Sequence, residues 1–373
     1  MGIKGTVRLG RKTKELVKEL KPNEIAVIDH QDIDQLAARS LIRSKVKAVI
    51  NNSQSISGRY PNLGPQKLIE SGVTIIDCGN KNLFDLLKTG IEIEIKNNKL
   101  IVAKEILAIG KKLTQSFIEE KLKLAQENLA NELDKFIDNT LNYAKEEKDL
   151  ILGLDVPTID TDLTDKEVLI VVRGNDYRQD LETVISYIQQ VQPVLIGVDG
   201  GADALLEHGF KADIIIGDMD SISNQALTQE SEIIVHAYPD GKAPGMERIK
   251  ELNLPAKKFP APGMSEDIAM LLAYEQEAAL IVAVGTHTNM IDFLEKGRQG
   301  MSSTFLARLK IGSKLVDAKG VNKLYQHNNL KLTSFLQLII TALFPILVII
   351  FISPTLKQLF NLVIIKLKLS LGI

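Results

Sequence analysis

Two aspartates, Asp218 and Asp220, close an apolar run in IIIGDMDSIS (214–223). Carboxylates are hard oxygen ligands suited to Mg2+, which commonly completes its shell with substrate phosphates. In an extended chain residues i and i+2 point to one face, so both carboxylates would point one way with Met219 opposite. A divalent ion between them would offset their repulsion. A solvated acidic turn also fits the spacing, and both readings stay open on these residues alone. Two other segments carry related signals: Arg173-Gly174-Asn175-Asp176 and Asp199-Gly200-Gly201 each follow an apolar run. Glycines let backbone approach a ligand closely, and helix N-termini beyond them favour anions.

Such residues need a sheet to hold them. Residues 167–174 (EVLIVVRG), 193–201 (PVLIGVDGG), 212–218 (ADIIIGD) and 278–285 (AALIVAVG) read as buried strands, with helical segments at 177–191, 202–209 and 265–277. This alternation predicts a parallel sheet covered on both faces, with ligands at the carboxyl ends of its strands. Residues 1–110 also read as α/β, with strands at 23–30, 46–52 and 73–77, helices at 32–45 and 66–72, and a hairpin at 91–103. The loop SQSISGRYPNLGP (53–65) is that domain's most unusual segment. Its Arg59 and Tyr60 are candidates for binding an anion or a partner; a turn shaped by Gly, Pro and Asn is the plainer reading. Residues 111–150 lack Gly and Pro and repeat Leu122, Leu129, Phe136 and Tyr143 every seven positions. This predicts a long amphipathic helix that either pairs with a second copy, giving a homodimer, or packs on its own domains. A linker, 151–166, leads to the second domain at 167–325.

The chain has 373 residues, 45% hydrophobic and 25% charged, with a formal net charge of −2. That balance leaves no electrostatic footprint for nucleic acid. The lone cysteine, Cys78, excludes a disulfide framework. The basic N-terminus shows no apolar leader core, so the expectation is that the bulk of the chain stays in the cytoplasm. From Leu332 to Leu356 no residue is charged, and FLQLIITALFPILVIIFI (335–352) is nearly unbroken apolar sequence. This predicts a single transmembrane helix at 332–353, a cell-membrane protein anchored in the lipid bilayer, and an amphipathic tail at 354–373; a buried helix is the other reading. The expected fold class is α/β: a small N-terminal α/β domain, a long connecting helix, a parallel-sheet α/β domain and a C-terminal membrane span.

The segment VDGGADALLEHGFKADIIIGDMDSIS (198–223) resembles the signature region of thiamine pyrophosphokinases. In that family acidic groups hold Mg2+ and nucleotide phosphates. The resemblance implies Mg2+ with a nucleotide such as ATP as cofactor, and those roles for Asp199, Asp218, Asp220 and Ser221. Gly200, Gly201 and Gly217 belong to the same turns, and Asp267 and Asp292 are further candidates. The chain departs from the family twice. PGMSEDIAM (262–270) has Ser265 where the family's helix begins with Asp, with Glu266 and Asp267 adjacent, and VGTHTNMIDF (284–293) keeps Gly285 and Asp292 but lacks the family's Arg and His. Phosphoryl transfer is mostly positioning and electrostatic stabilisation, so a missing cation is costly. The expectation is a nucleotide- or phosphate-binding domain without thiamine pyrophosphokinase activity. The alternative is an active Mg2+-dependent transferase on another acceptor, with His287, Lys257, Lys258 or Arg298 as substitutes. Over nearly its full length the sequence is similar to the SteA family of cytokinetic ring proteins. The carrying residues include AVIDHQDIDQLAARSLI (26–42), SISGRYPNLGP (55–65), EDIAMLLAYE (266–275) and LVDAKGVNKLY (315–325). That resemblance implies a cell-division and cell-separation factor at the septum with division-site proteins as partners. The first domain faintly resembles swivelling phosphohistidine domains; its loop 55–65 holds no histidine, and His30 stands at a strand end instead.

Overall fold

The runs IAVI (β2, Ile25–Ile28) and AVIN (β3, Ala48–Asn51) are buried at every position, as expected of strands covered on both faces. They lie at the centre of an eight-stranded mixed sheet, with β1 (Ile3–Leu9), β4 (Thr74–Asp77), β5 (Glu92–Lys96), β6 (Lys99–Val102), β7 (Glu105–Ile109) and β8 (Lys111–Lys112), in the order β7-β6-β5-β1-β2-β3-β4-β8. Strands β1 to β4 are mutually parallel, while β5 joins β1 and β8 joins β4 antiparallel. The computed structural model describes residues 2–79, 82–325, 340–345, 348–349 and 352–371. It divides into two units, Met1–Gly320 and Val321–Ile373.

Within the first unit a second sheet holds β9 (Glu167–Val171), β10 (Val194–Val198), β11 (Ile214–Gly217), β12 (Glu232–Ala237), β13 (Lys257–Pro260), β14 (Leu280–Val284) and β15 (Leu315–Asp317). Their order is β13-β12-β11-β10-β9-β14-β15, and every pairing is parallel. Helix Ser265–Glu275 is buried from Glu266 to Ala273 because it crosses the middle of one face. Its apolar side joins Val168, Ile170, Ile196, Ile214 and Ile234 in one core. The four parallel pairings from β9 to β13 carry the strands' carboxyl ends to one edge, where the candidate residues lie.

The long helix runs from Gln115 to Glu146, capped by the Thr114 hydroxyl accepting from the Phe117 N–H. It packs on both of its own domains. Its first half meets the loop 53–65: Lys121 donates to the Ser57 carbonyl (3.2 Å), Asn128 to the Gly58 carbonyl (2.9 Å), and Glu132 pairs with Arg59 (2.9 Å). Its second half meets the second domain, with the Phe136 and Phe293 rings 6.0 Å apart and Thr140 accepting from the Met301 N–H (3.0 Å). The buried face is Ile118, Ala125, Phe136, Thr140 and Ala144. Leu133, Ile137, Leu141 and Tyr143 are exposed. The seven-residue spacing therefore names the helix but misplaces part of its packed side.

The C-terminal expectation needs correction. Of the span expected at 332–353, residues 332–339, 346–347 and 350–351 lie outside the described residues. Among the described residues no helix is long and apolar enough to cross a membrane. Helix Pro354–Leu371, in this unit, has 18 residues and includes Lys357, Lys366 and Lys368. A spanning helix needs about 20 predominantly apolar residues. The membrane-spanning element of the fold class, and the single-pass localisation resting on it, are overturned.

Candidate functional site at the strand ends

The turns that end β9, β10 and β11 are tightly built. Asp176, Asp199 and Met219 have left-handed backbones, with φ of 59°, 46° and 65°. Few non-glycine residues adopt this region, and such strain concentrates at functional sites. After β10 the chain turns at once into helix Gly201–Glu207. A Cβ on Gly201 would lie 1.9 Å from the Val171 carbonyl oxygen, so only glycine lets that helix start against β9. A Cβ on Gly217 would lie 1.9 Å from Asp199 Oδ1, so the Asp199 carboxylate sits directly against the end of β11. Gly200 lies beneath the Arg173 side chain. The left-handed turn at Met219 buries that side chain completely. Asp218 and Asp220 are thereby turned out together, by a bent chain and not by an extended one. The Asp220 N–H donates to Asp218 Oδ1 (3.0 Å), and the Met219 N–H donates to Asp199 Oδ1 (3.3 Å).

Three carboxylates crowd one edge and perturb one another. Burial, then the Asp218 charge, pushes the Asp199 carboxyl up to about 7. Burial, with the Asp220 carboxylate beside it, also raises Asp218. At Asp220 burial works the same way but is outweighed by a lysine, Lys14, and the carboxyl falls below its ordinary value. Lys14 Nζ donates to both Asp220 oxygens, at 2.8 and 2.7 Å, and Lys12 Nζ lies 3.9 Å from the same carboxylate. Both lysines come from the N-terminal domain.

The edge opens into a cleft of about 1600 Å³ between the two domains. One wall holds Arg173, Asp199, Gly200, Asp218, Asp220 and Ser221; the other holds Arg11 to Lys14, Asp29 and His30. His236, at the end of β12, donates from Nε2 to the Ala261 carbonyl (2.9 Å) and accepts at Nδ1 from Ser265 (3.0 Å). Burial holds it below the usual histidine range, so it faces the cleft as a neutral imidazole. Glu266 also reaches the cleft. It accepts from the His287 backbone N–H (3.0 Å) and from its Nδ1 (2.7 Å), and Lys296 stands 3.4 Å from that ring.

The expected site residues divide into three groups. Asp199, Gly200, Gly201, Gly217, Asp218, Asp220 and Ser221 come together at the strand ends. Asp267 turns away from the cleft: it is wholly buried and accepts from Ser303 (2.7 Å) and Thr304 (2.8 Å). Asp292 accepts from Asn175 (3.0 Å) and Asn289 (2.9 Å) and pairs with Lys319. Arg59 and Tyr60 stand apart from both. Tyr60 is buried and Arg59 is engaged by Glu132, so the loop 53–65 is docked on the chain's own helix. Lys12, Lys14, Arg173 and His236 were not singled out as ligand groups from the sequence. Arg173 belongs to the strand end Arg173-Gly174-Asn175-Asp176; the lysines, 206 residues from Asp220 in the case of Lys14, carry no local signal at all.

Among the described residues no group of three or more His, Cys, Asp or Glu side chains is arranged to hold a metal ion by itself. Two outward carboxylates fit Mg2+ all the same, because that ion usually takes one or two carboxylates and draws the rest of its shell from water and substrate phosphates. The raised Asp199 and Asp218 carboxyls, beside an Asp220 that already holds Lys14, fit a site that accepts positive charge. Asp218 and Asp220 would hold the ion. It would neutralise phosphate charge there.

Two family models match parts of the chain, one of them across the strand-end residues. Residues 185–243 match the thiamin pyrophosphokinase catalytic domain, and residues 319–369 match the SteA-like C-terminal domain. No curated protein matches the chain. Among solved structures, thiamine pyrophosphokinase from Bacillus subtilis is similar at 20% identity over 40% of this chain and 60% of its own, with a TM-score of 0.25. Thiamin pyrophosphokinase from Geobacillus thermodenitrificans is similar at 22% identity over 40% of this chain and 59% of its own, with a TM-score of 0.26. The chain thus spans about three-fifths of the length of these two proteins. A 3-isopropylmalate dehydratase from Methanocaldococcus jannaschii is similar at 17% identity over 34% of this chain and 98% of its own, with a TM-score of 0.23. The chain thus carries a segment that matches the SteA-like C-terminal domain and one that matches the thiamin pyrophosphokinase catalytic domain, as its sequence resemblance implies.

Proposed function

We propose that the protein binds a Mg2+-nucleotide or a related polyphosphate at the carboxyl ends of β10 and β11 and acts as a cell-division factor through protein contacts. The observation that carries the binding reading is the pair Asp218 and Asp220, presented to an interdomain cleft with Asp199 packed behind them. Asp218 and Asp220 hold the ion, Ser221 and the Asp199-Gly200-Gly201 turn lie against the phosphates, and Arg173 adds a cation above Gly200. The SteA-like match supports the division role, with division proteins and a second copy of the chain as partners. Calorimetric titration of the full chain with ATP, GTP and thiamine, with and without Mg2+, tests the binding. Mg2+-dependent nucleotide binding that disappears in Asp218→Asn/Asp220→Asn is the expected result. No binding by the wild type would overturn the reading.

A second reading, catalytic transfer to another acceptor, draws support from His287, held by Glu266 with Lys296 beside it. These groups supply an acid–base candidate and a cation in the segment where the family's own are absent. Steady release of AMP or ADP from MgATP, lost in His287→Gln, would favour it.

A further inference from the structure

Several cations of the second domain, none of them lining the cleft, are already engaged. Lys319 pairs with Asp292, Arg308 with Asp317, Lys310 with Glu275 and Arg178 with Glu207. Arg248 donates to the Met219 carbonyl and to Asn224. Among the described residues, the cations that line the cleft from the second domain are Arg173, Lys296 and Arg298. From the other domain, Lys14 Nζ donates to both carboxylate oxygens of Asp220, and Lys12 stands 3.9 Å from the same group. Lys14 and Lys12 are about half and about two-thirds exposed, at 47% and 70%. They are thus free to re-aim.

The geometry points to Lys14, seconded by Lys12, as a ligand-binding cation that the N-terminal domain contributes to the phosphate site. The inference rests on the reading of Asp218 and Asp220 given above. A divalent ion and an ammonium cannot share the same carboxylate oxygens without repulsion, so arrival of the ion frees the Lys14 side chain from Asp220. The ligand's phosphates then stand within reach of a flexible, three-donor ammonium. Lys14 exchanges one oxyanion for another, and the net cost of releasing Asp220 is offset at the same place. The ligand class is a polyphosphate long enough to touch both walls. The site is incomplete without the N-terminal domain, and ligand binding draws the two domains together.

The test is calorimetry on the full chain with two probes, MgATP and magnesium pyrophosphate, comparing wild type with Lys14→Ala, Lys14→Arg and Lys12→Ala. Loss of one charge-assisted hydrogen bond to phosphate predicts affinity weaker by at least about tenfold in Lys14→Ala, with partial recovery in Lys14→Arg. Lys12→Ala loses less, because Lys12 is the more distant. Mg2+ alone binds Lys14→Ala as well as or better than wild type, since the competing ammonium is gone. Thermal melting shows that the variants remain folded. Equal or tighter binding of both probes by Lys14→Ala overturns the inference, leaving Lys14 as a plug on Asp220 while the site itself stands. Wild type that binds neither probe overturns the site and the inference together.

Discussion

Replacing Asp267 by asparagine should stabilise the protein at pH 8 relative to pH 5. One Asp267 oxygen accepts from the Ser303 and Thr304 hydroxyls, and the other has no partner. Burial, then the neighbouring Glu266 charge, pushes its carboxyl from 3.8 up to about 7. In the unfolded chain the group ionises near its ordinary value. Between that value and 7 the folded state therefore holds a proton that the unfolded state has lost, and stability falls as pH rises. A displacement of this size costs about 4 kcal/mol once the group is fully ionised, and roughly 2 kcal/mol of it accrues between pH 5 and pH 8. Asparagine never ionises. Its amide leaves an unpartnered polar atom where Oδ1 stood, but that penalty is equal at both pH values and cancels in the difference. Urea denaturation of wild type and Asp267→Asn at pH 5 and pH 8 measures it. The variant should gain about 2 kcal/mol on wild type between the two. An identical difference at both pH values would refute a buried carboxyl with a raised titration.

Gly201→Ala places a Cβ 1.9 Å from the Val171 carbonyl and should destabilise by about 3 kcal/mol, read as a lowered urea midpoint; a change under about 0.5 kcal/mol would show that the turn is loose. Phe136→Ala empties the contact with Phe293 and should cost about 3–5 kcal/mol, whereas Ile137→Ala, on the exposed side, should stay within about 0.5 kcal/mol. The reverse pattern, by thermal or urea unfolding, would mean that the helix packs through its other face. Arg59→Ala removes the pair with Glu132 and the stacking on Tyr60 at 5.5 Å and should cost about 1 kcal/mol in the same assay; a null result would show that the loop is held by its backbone bonds alone.

Much of the second domain is legible in its sequence because its strands are short continuous apolar runs with helices between them. The Asp-Gly-Gly and Gly-Asp-Met-Asp turns then fall at strand ends by counting. What counting could not show was the facing of side chains. Asp267 sits one residue after Glu266 in a helix buried nearly all round. One turns to the cleft and the other to Ser303, and an almost uniformly apolar helix gives no moment to tell them apart. Strand β1 escaped notice because Lys4, Gly5, Thr6 and Arg8 interrupt its apolar residues, and only Val7 is fully buried. Lys14 was beyond local reading, since its partner is set by the packing of two domains. At the C-terminus, apolar composition suggested a span. Among the described residues, however, no helix is long and apolar enough to cross a membrane.

The central claim is that Asp218 and Asp220 hold a divalent ion against a phosphate ligand. The direct measurement is a crystal structure of the full chain grown with Mn2+ and a non-hydrolysable ATP analogue, with anomalous scattering marking the metal. The account predicts an anomalous peak at coordination distance from both carboxylates, shared with ligand phosphate oxygens, with Lys14 moved off Asp220 onto the phosphates. Ligand density in the cleft with no metal peak at these residues, or metal and ligand bound elsewhere, would contradict it.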